Sequence, residues 1–164
     1  MKIDDNHSFE KPVDTVLEMF SDRAYFEKKY KNLGFSDIEV LDCDKSGDRF
    51  LIKVRYAATS DAPIPQFAKK ILGDKSIITQ QDEWNLKSRT GRITIEVKGV
   101  PVKLGCDMRL QPEGKGAVNR MSWSISCGIP LIGGKLEKII GDDILSKSDK
   151  DRTVSAKLLE SYGA

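Results

Sequence analysis

The sequence predicts an α+β fold in which one antiparallel sheet, apolar on a single face, is covered by a long carboxy-terminal helix. Three observations carry this reading. The middle of the chain alternates apolar and polar residues, turn residues separate the alternating runs, and the final stretch changes to a helical period.

Ile3 to Glu10 reads as a short first strand. Pro12 and Asp14 then open a helix, with Val13, Val16, Leu17 and Phe20 at helical spacing. Ser21 or Asp22 caps a second helix carrying Ala24, Tyr25, Phe26, Tyr30 and Leu33, and Gly34 stops it. Strands follow around Ile38 to Cys43, Phe50 to Tyr56, Ile77 to Leu86, Ile93 to Val97, Leu104 to Leu110 and Met121 to Cys127. With the first strand they make about seven. Clean one-sided alternation means an antiparallel sheet with one wet face, so something must cover the other. From Leu131 to Tyr162 the residues Ile132, Leu136, Ile139, Ile140, Ile144, Val154, Leu158 and Tyr162 form one helical stripe, and supply the cover.

Composition narrows the function. A chain of 164 residues can bury its own core, and residues 1–164 read as a single domain. Its 27 basic and 25 acidic residues are interleaved, which gives no footprint for nucleic acid. Cys43, Cys106 and Cys127 match no metal-ligand spacing and read as reduced, buried thiols. No signal peptide and no run of roughly 20 apolar residues is present, so the expectation is a cytoplasmic protein without membrane spans. Neither a cofactor nor a metal is expected.

The stretch from Gly128 to Leu136 mimics a nucleotide-binding loop but fails its chemistry. After Gly133 comes Gly134 rather than lysine, Lys135 is one place late, and Leu136 replaces the hydroxyl that magnesium needs. Pro130 ends the last strand, and Gly133 and Gly134 let the chain turn close against the sheet. The loop is a corner.

Three segments carry more specific likeness: His7 to Pro12 leading into Val16 to Phe20, Asp22 to Lys28 followed by Leu33 and Gly34, and Ile129 to Glu137. With the element order, they resemble the START-like (SRPBCC), helix-grip superfamily, and within it a bacterial family without an assigned function. The resemblance implies a curved sheet wrapped around the final helix and a cavity for an apolar or amphipathic small molecule. The superfamily also includes cyclases and other enzymes, so the fold alone does not decide activity.

Candidate lining residues follow from strand parity. Tyr56, Trp84, Met108, Met121 and Trp123 share predicted inward faces, and Gln80 and Asp82 share parity with Trp84. Buried polar groups need partners, which a ligand, water or neighbouring side chains can supply. Ala62 to Gly73 interrupts the sheet and carries Phe67 and Ile71 beside Lys69 and Lys70. It reads either as a lid able to touch a membrane transiently or as a helical turn packed on the sheet edge. On the final helix, Ile140 and Ile144 precede Lys147 and Asp151, two charges on the inward stripe with Asp143 beside them. They either form the polar end of a pocket or lie in solvent where the helix bows.

His7 is the only histidine and shares parity with Ile3 and Phe9; a hydrogen-bonded structural role is expected of it. Spacing proposes no catalytic grouping. The expected function is a binding or carrier protein for a lipid-like or aromatic molecule. The alternatives are a cyclase, dehydratase or hydrolase using the same cavity, and an interaction domain with a filled core.

Overall fold

The computed structural model describes residues 1–59 and 65–163, apart from the Leu72 side chain. In chain order its elements are β1 (Lys2–Phe9), α1 (Val13–Phe20), α2 (Arg23–Asn32), β2 (Ser36–Ser46), β3 (Arg49–Ala58), α3 (Gln66–Leu72), β4 (Ser76–Asn85), β5 (Thr90–Val97), β6 (Val102–Glu113), β7 (Gly116–Cys127) and α4 (Gly133–Leu159). The seven strands form one curved antiparallel sheet in the order β1-β7-β6-β5-β4-β3-β2. Strands β2 to β7 are a meander, and β1 closes the far side by pairing with β7. This is the helix-grip fold.

Because the register is fixed, inward side chains of successive strands fall into rows. One row runs Asp5, Met121, Met108, Gly91, Trp84, Phe50, and the next runs Ile3, Trp123, Cys106, Ile93, Asp82, Ile52. A Cβ at Gly91 would lie 2.8 Å from Trp84 Cδ2 and 3.0 Å from Met108 Cε, so glycine there lets the indole lie across its row.

The helices close the concave face. Helix α1 buries Val13, Val16, Leu17, Met19 and Phe20, and Phe20 stacks on Trp84 with centroids 5.5 Å apart. Helix α2 begins where Asp22 Oδ1 accepts from the Ala24 amide at 3.1 Å, and ends at Gly34, whose φ is +85°. It buries Tyr25, Phe26, Lys29 and Tyr30. Helix α4 starts against β7, where a Cβ on Gly133 would stand 2.5 Å from the Cys127 carbonyl oxygen. Its other end is tied to α2: Tyr25 Oη and Ser155 Oγ are 2.8 Å apart, and Tyr162 Oη donates to Asp22 Oδ2 at 2.6 Å.

Two expectations need correction. The final helix spans Gly133–Leu159 rather than reaching Tyr162, which lies beyond it but packs on the core. In its carboxy-terminal half the deeply buried positions are Ser155 and Leu159, not Val154 and Leu158, which are half-buried. Ser155 lies at a cavity wall and is hydrogen-bonded to Tyr25, while Leu159 packs in the core. Of the interrupting segment from Ala62 to Gly73, residues 62–64 lie outside the described residues. Its helix α3 buries Ala68, and Ile71 packs on the cluster of Val100, Val102, Leu104 and Ile125.

Candidate functional site

Between the concave face of the sheet, α2 and α4 lies a cavity of about 200 Å³. Its middle is apolar. Trp84, Ile93, Met108, Met121 and Trp123 come from the sheet, Phe26 from α2 and Ile144 from α4. Polar groups gather on two sides of this apolar belt.

On the β3–β4 side, a hydrogen-bonded chain runs inward. Tyr56 Oη donates to Gln80 Oε1 at 2.8 Å, and Gln80 Nε2 donates to Asp82 Oδ1 at 3.0 Å. Asp82 is only 4% exposed. Burial pushes its carboxyl up to about 6, against the opposing pull of the Lys29 ammonium and the Gln80 hydrogen bond. Lys29 is itself buried, with Nζ 3.5 Å from Asp151 Oδ2 and 5.3 Å from the centre of the Tyr25 ring. Burial alone would lower a lysine, but Asp151 and Asp82 outweigh it and hold this one above the ordinary range. Lys29 is therefore a permanent cation in the cavity wall. Tyr25 is pushed up to about 12 by burial, and Tyr30 well above its ordinary value for the same reason, so both phenols stay protonated.

On the β1–β7 side, Ser148 Oγ donates to Asp5 Oδ2 at 2.5 Å and lies 2.8 Å from His7 Nε2. The same nitrogen is 3.3 Å from Asp5 Oδ2. Since the serine proton goes to Asp5, Ser148 must accept from His7, which fixes the tautomer protonated at Nε2. A nucleophilic triad needs the reverse arrangement, with histidine accepting from serine and the carboxylate on the other ring nitrogen. His7 is thus buried and hydrogen-bonded among polar neighbours, without the geometry of an activating base for Ser148.

Two buried polar atoms stand apart from these networks. Among the described residues, Tyr30 Oη and Asn119 Oδ1 have no hydrogen-bond partner. Both residues line the cavity.

A family model described as "Protein of unknown function (DUF2505)" matches residues 4–159. The chain belongs to this DUF2505 family. No curated protein matches it in sequence. Among solved structures it is similar to TTHA0849 from Thermus thermophilus, at 16% identity and a TM-score of 0.67, with 98% of each chain covered. It is likewise similar to Ara h 8.0201, at 14% identity and a TM-score of 0.67, again over 98% of each chain. The Zhui aromatase/cyclase from Streptomyces sp. R1128 matches at 10% identity and a TM-score of 0.62, over 98% of this chain and 93% of that one. Likeness at such identities shows a shared START-like fold.

For this DUF2505 chain, nine of the residues singled out by strand parity and by the inward stripe of the final helix lie at the cavity wall. They are Gln80, Asp82, Trp84, Met108, Met121, Trp123, Ile144, Lys147 and Asp151. Lys147 and Asp151 do not continue one ladder along α4: Lys147 pairs with Asp143 at 2.9 Å, while Asp151 turns to Lys29. Both are half-buried at the cavity wall rather than lifted into solvent. Four other residues are placed elsewhere. Tyr56 lies behind the wall, stacked on the rings of Tyr30 and Phe35, and reaches the cavity through Gln80. Phe67 is exposed on α3, and Ile71 and Ile140 pack in the separate cluster around Val100.

The residues that sequence reasoning missed are mainly on α2 and β1: Tyr25, Lys29, Tyr30, Asp5 and, from β7, Asn119. One signal was available. Tyr25, Phe26, Lys29, Tyr30 and Leu33 share a helical face, and a lysine inside an aromatic stripe marks a buried charge needing partners.

Proposed function

We propose that this protein binds or carries a hydrophobic or amphipathic small molecule in the cavity between the sheet, α2 and α4. The observation that carries the reading is the 200 Å³ cavity itself, walled by two tryptophans and two methionines and edged by buried polar groups. Interiors normally close to a density that leaves few voids larger than a water molecule. An adaptable thioether and indole lining with a few polar groups at its edge matches the general form of small-molecule sites. Solved structures that share the fold include an aromatase/cyclase and a norcoclaurine synthase in complex with a transition-state analogue, which supports the fold's capacity to hold a small molecule.

Native mass spectrometry of protein purified gently from cells tests this directly. A retained mass that disappears on denaturation is the expected result. A ligand-free protein that also fails to take up an apolar fluorescent probe would defeat the proposal.

One observation favours a second reading, in which the same cavity performs acid–base chemistry on its ligand. Asp82 is oriented by Gln80, faces the cavity, and titrates near the pH at which a general acid or base is effective. On that reading Asp82→Asn abolishes turnover of the bound compound while leaving its retention intact. Loss of retention instead would assign Asp82 to binding.

A further inference from the structure

We propose that the cavity selects a neutral, flat, two-ring compound bearing an oxygen at each end, one met by Tyr30 and the other by Asn119. This rests on the reading of the cavity as a ligand site and specifies the ligand's chemistry.

The first ground is hydrogen-bond satisfaction. Buried polar atoms in folded proteins nearly all have partners, and an exception calls for a physical reason. Around this cavity the rule is obeyed almost throughout. Tyr25 pairs with Ser155, Tyr56 with Gln80, Gln80 with Asp82, Lys29 with Asp151, and His7 with Ser148. Tyr30 Oη and Asn119 Oδ1 break it, although their residues are only 2% and 3% exposed. Asn119 Nδ2 is directed to Met108 Sδ at 3.6 Å, which leaves Oδ1 as the free end of that amide. Tyr30, a neutral phenol, can donate to a ligand carbonyl or hydroxyl. Asn119 Oδ1 can only accept, so the group facing it must be a donor such as a hydroxyl.

The second ground is placement. Asn119 belongs to β7, paired with His7 of β1. Tyr30 stacks on Tyr56 of β3, with centroids 4.8 Å apart. Strands β6, β5 and β4 separate the two sides, and Met108, Ile93 and Trp84 form an apolar belt across them, while the polar Gln80 and Asp82 of β4 are already hydrogen-bonded to each other. A ligand reaching both orphaned groups must therefore be polar at its ends and apolar between them.

Charge and size complete the description. The acids lining the cavity are Asp5, Asp82 and Asp151, and the lysines are Lys29, Lys147 and Lys150. Three against three leaves no excess to attract an anion or a cation, so the oxygens belong to hydroxyl or carbonyl groups rather than carboxylates. An apolar cavity of about 150 Å³ holds one benzene ring. The somewhat larger 200 Å³ here suits two fused rings and is small for a long acyl chain.

Calorimetric titration with naphthalene, 2-naphthol and naphthalene-2,6-diol tests the proposal on the parent, Tyr30→Phe and Asn119→Leu. The diol should bind the parent more tightly than naphthalene. Each variant should lower diol affinity about tenfold, the order of one buried hydrogen bond, and leave naphthalene affinity unchanged. Tyr30→Phe removes an unpaired hydroxyl, so it should melt no lower than the parent without ligand; Asn119→Ser serves if the leucine variant does not fold. Equal losses for naphthalene and diol, or none for either, would overturn the two-ended recognition while the cavity reading survives. If no member of the series binds the parent, the two-ring proposal falls, and the cavity reading is then decided by the retained mass and the apolar probe.

Discussion

Asp82 ends a chain of hydrogen bonds that begins at Tyr56, and its carboxyl is held up to about 6 by burial. The consequence for stability has a definite sign. Between its ordinary value of 3.8 and about 6, the folded state holds this proton more tightly than the unfolded chain does. Stability from this site is therefore fully present at low pH and is lost as pH rises through that window, by at most about 3 kcal/mol. Asp82→Asn removes the titration but keeps an acceptor for Gln80. The variant should be more stable than the parent at pH 7.5 and indistinguishable from it near pH 4 in urea unfolding. Parallel pH profiles for the two proteins would show that Asp82 carries no such linkage. The inward polarity of Gln80 and Asp82 was legible because strand parity ties them to Trp84. Lys29, their electrostatic counterpart, was not, because parity within a strand says nothing about which helix will lie above it.

The start of α4 shows how one element can be half explained by its glycines. Gly133 sits where a Cβ would meet the Cys127 carbonyl oxygen, a backbone atom that cannot turn aside. At Gly134 the same added carbon would meet nothing within 4 Å. Gly133→Ala should accordingly destabilise the protein by roughly 1–3 kcal/mol, as other overpacked contacts do. Gly134→Ala should be neutral or stabilising by up to about 1 kcal/mol, since alanine favours helix over glycine. Thermal melts of the two variants check this, and equal shifts would contradict it. The sequence shows both glycines at the corner but cannot tell them apart, because steric demand at each depends on where β7 ends. A related limit blurred the far end of the helix. Val154 and Leu158 fit an apolar stripe, yet Ser155 and Leu159 are the more deeply buried, with Ser155 hydrogen-bonded to Tyr25. Apolar periodicity locates a helix well and its polar contacts poorly.

At the scale of the whole molecule, the question is whether the space between sheet and helices is an extensible part of the core or a defect within it. Met121 is the place to ask. It is half-buried, lines the cavity, and faces Met108 across the β6–β7 pair and Asp5 across the β1–β7 pair. Its thioether is flexible, so it can yield to a larger group without moving the backbone. In a solid core, Met121→Trp would overpack and cost roughly 1–3 kcal/mol. Here the added indole has 200 Å³ to enter, bordered by Trp84 and Trp123. The substitution should leave the melting temperature within a few degrees of the parent and weaken binding of an apolar fluorescent probe at least tenfold. The two measurements answer separately. Marked destabilisation with probe binding unchanged would place the probe elsewhere on the molecule. Destabilisation in a protein that never bound the probe would mean that the sheet and helices close on a filled core. Preserved stability with lost binding is the outcome that a cavity built to admit a guest requires.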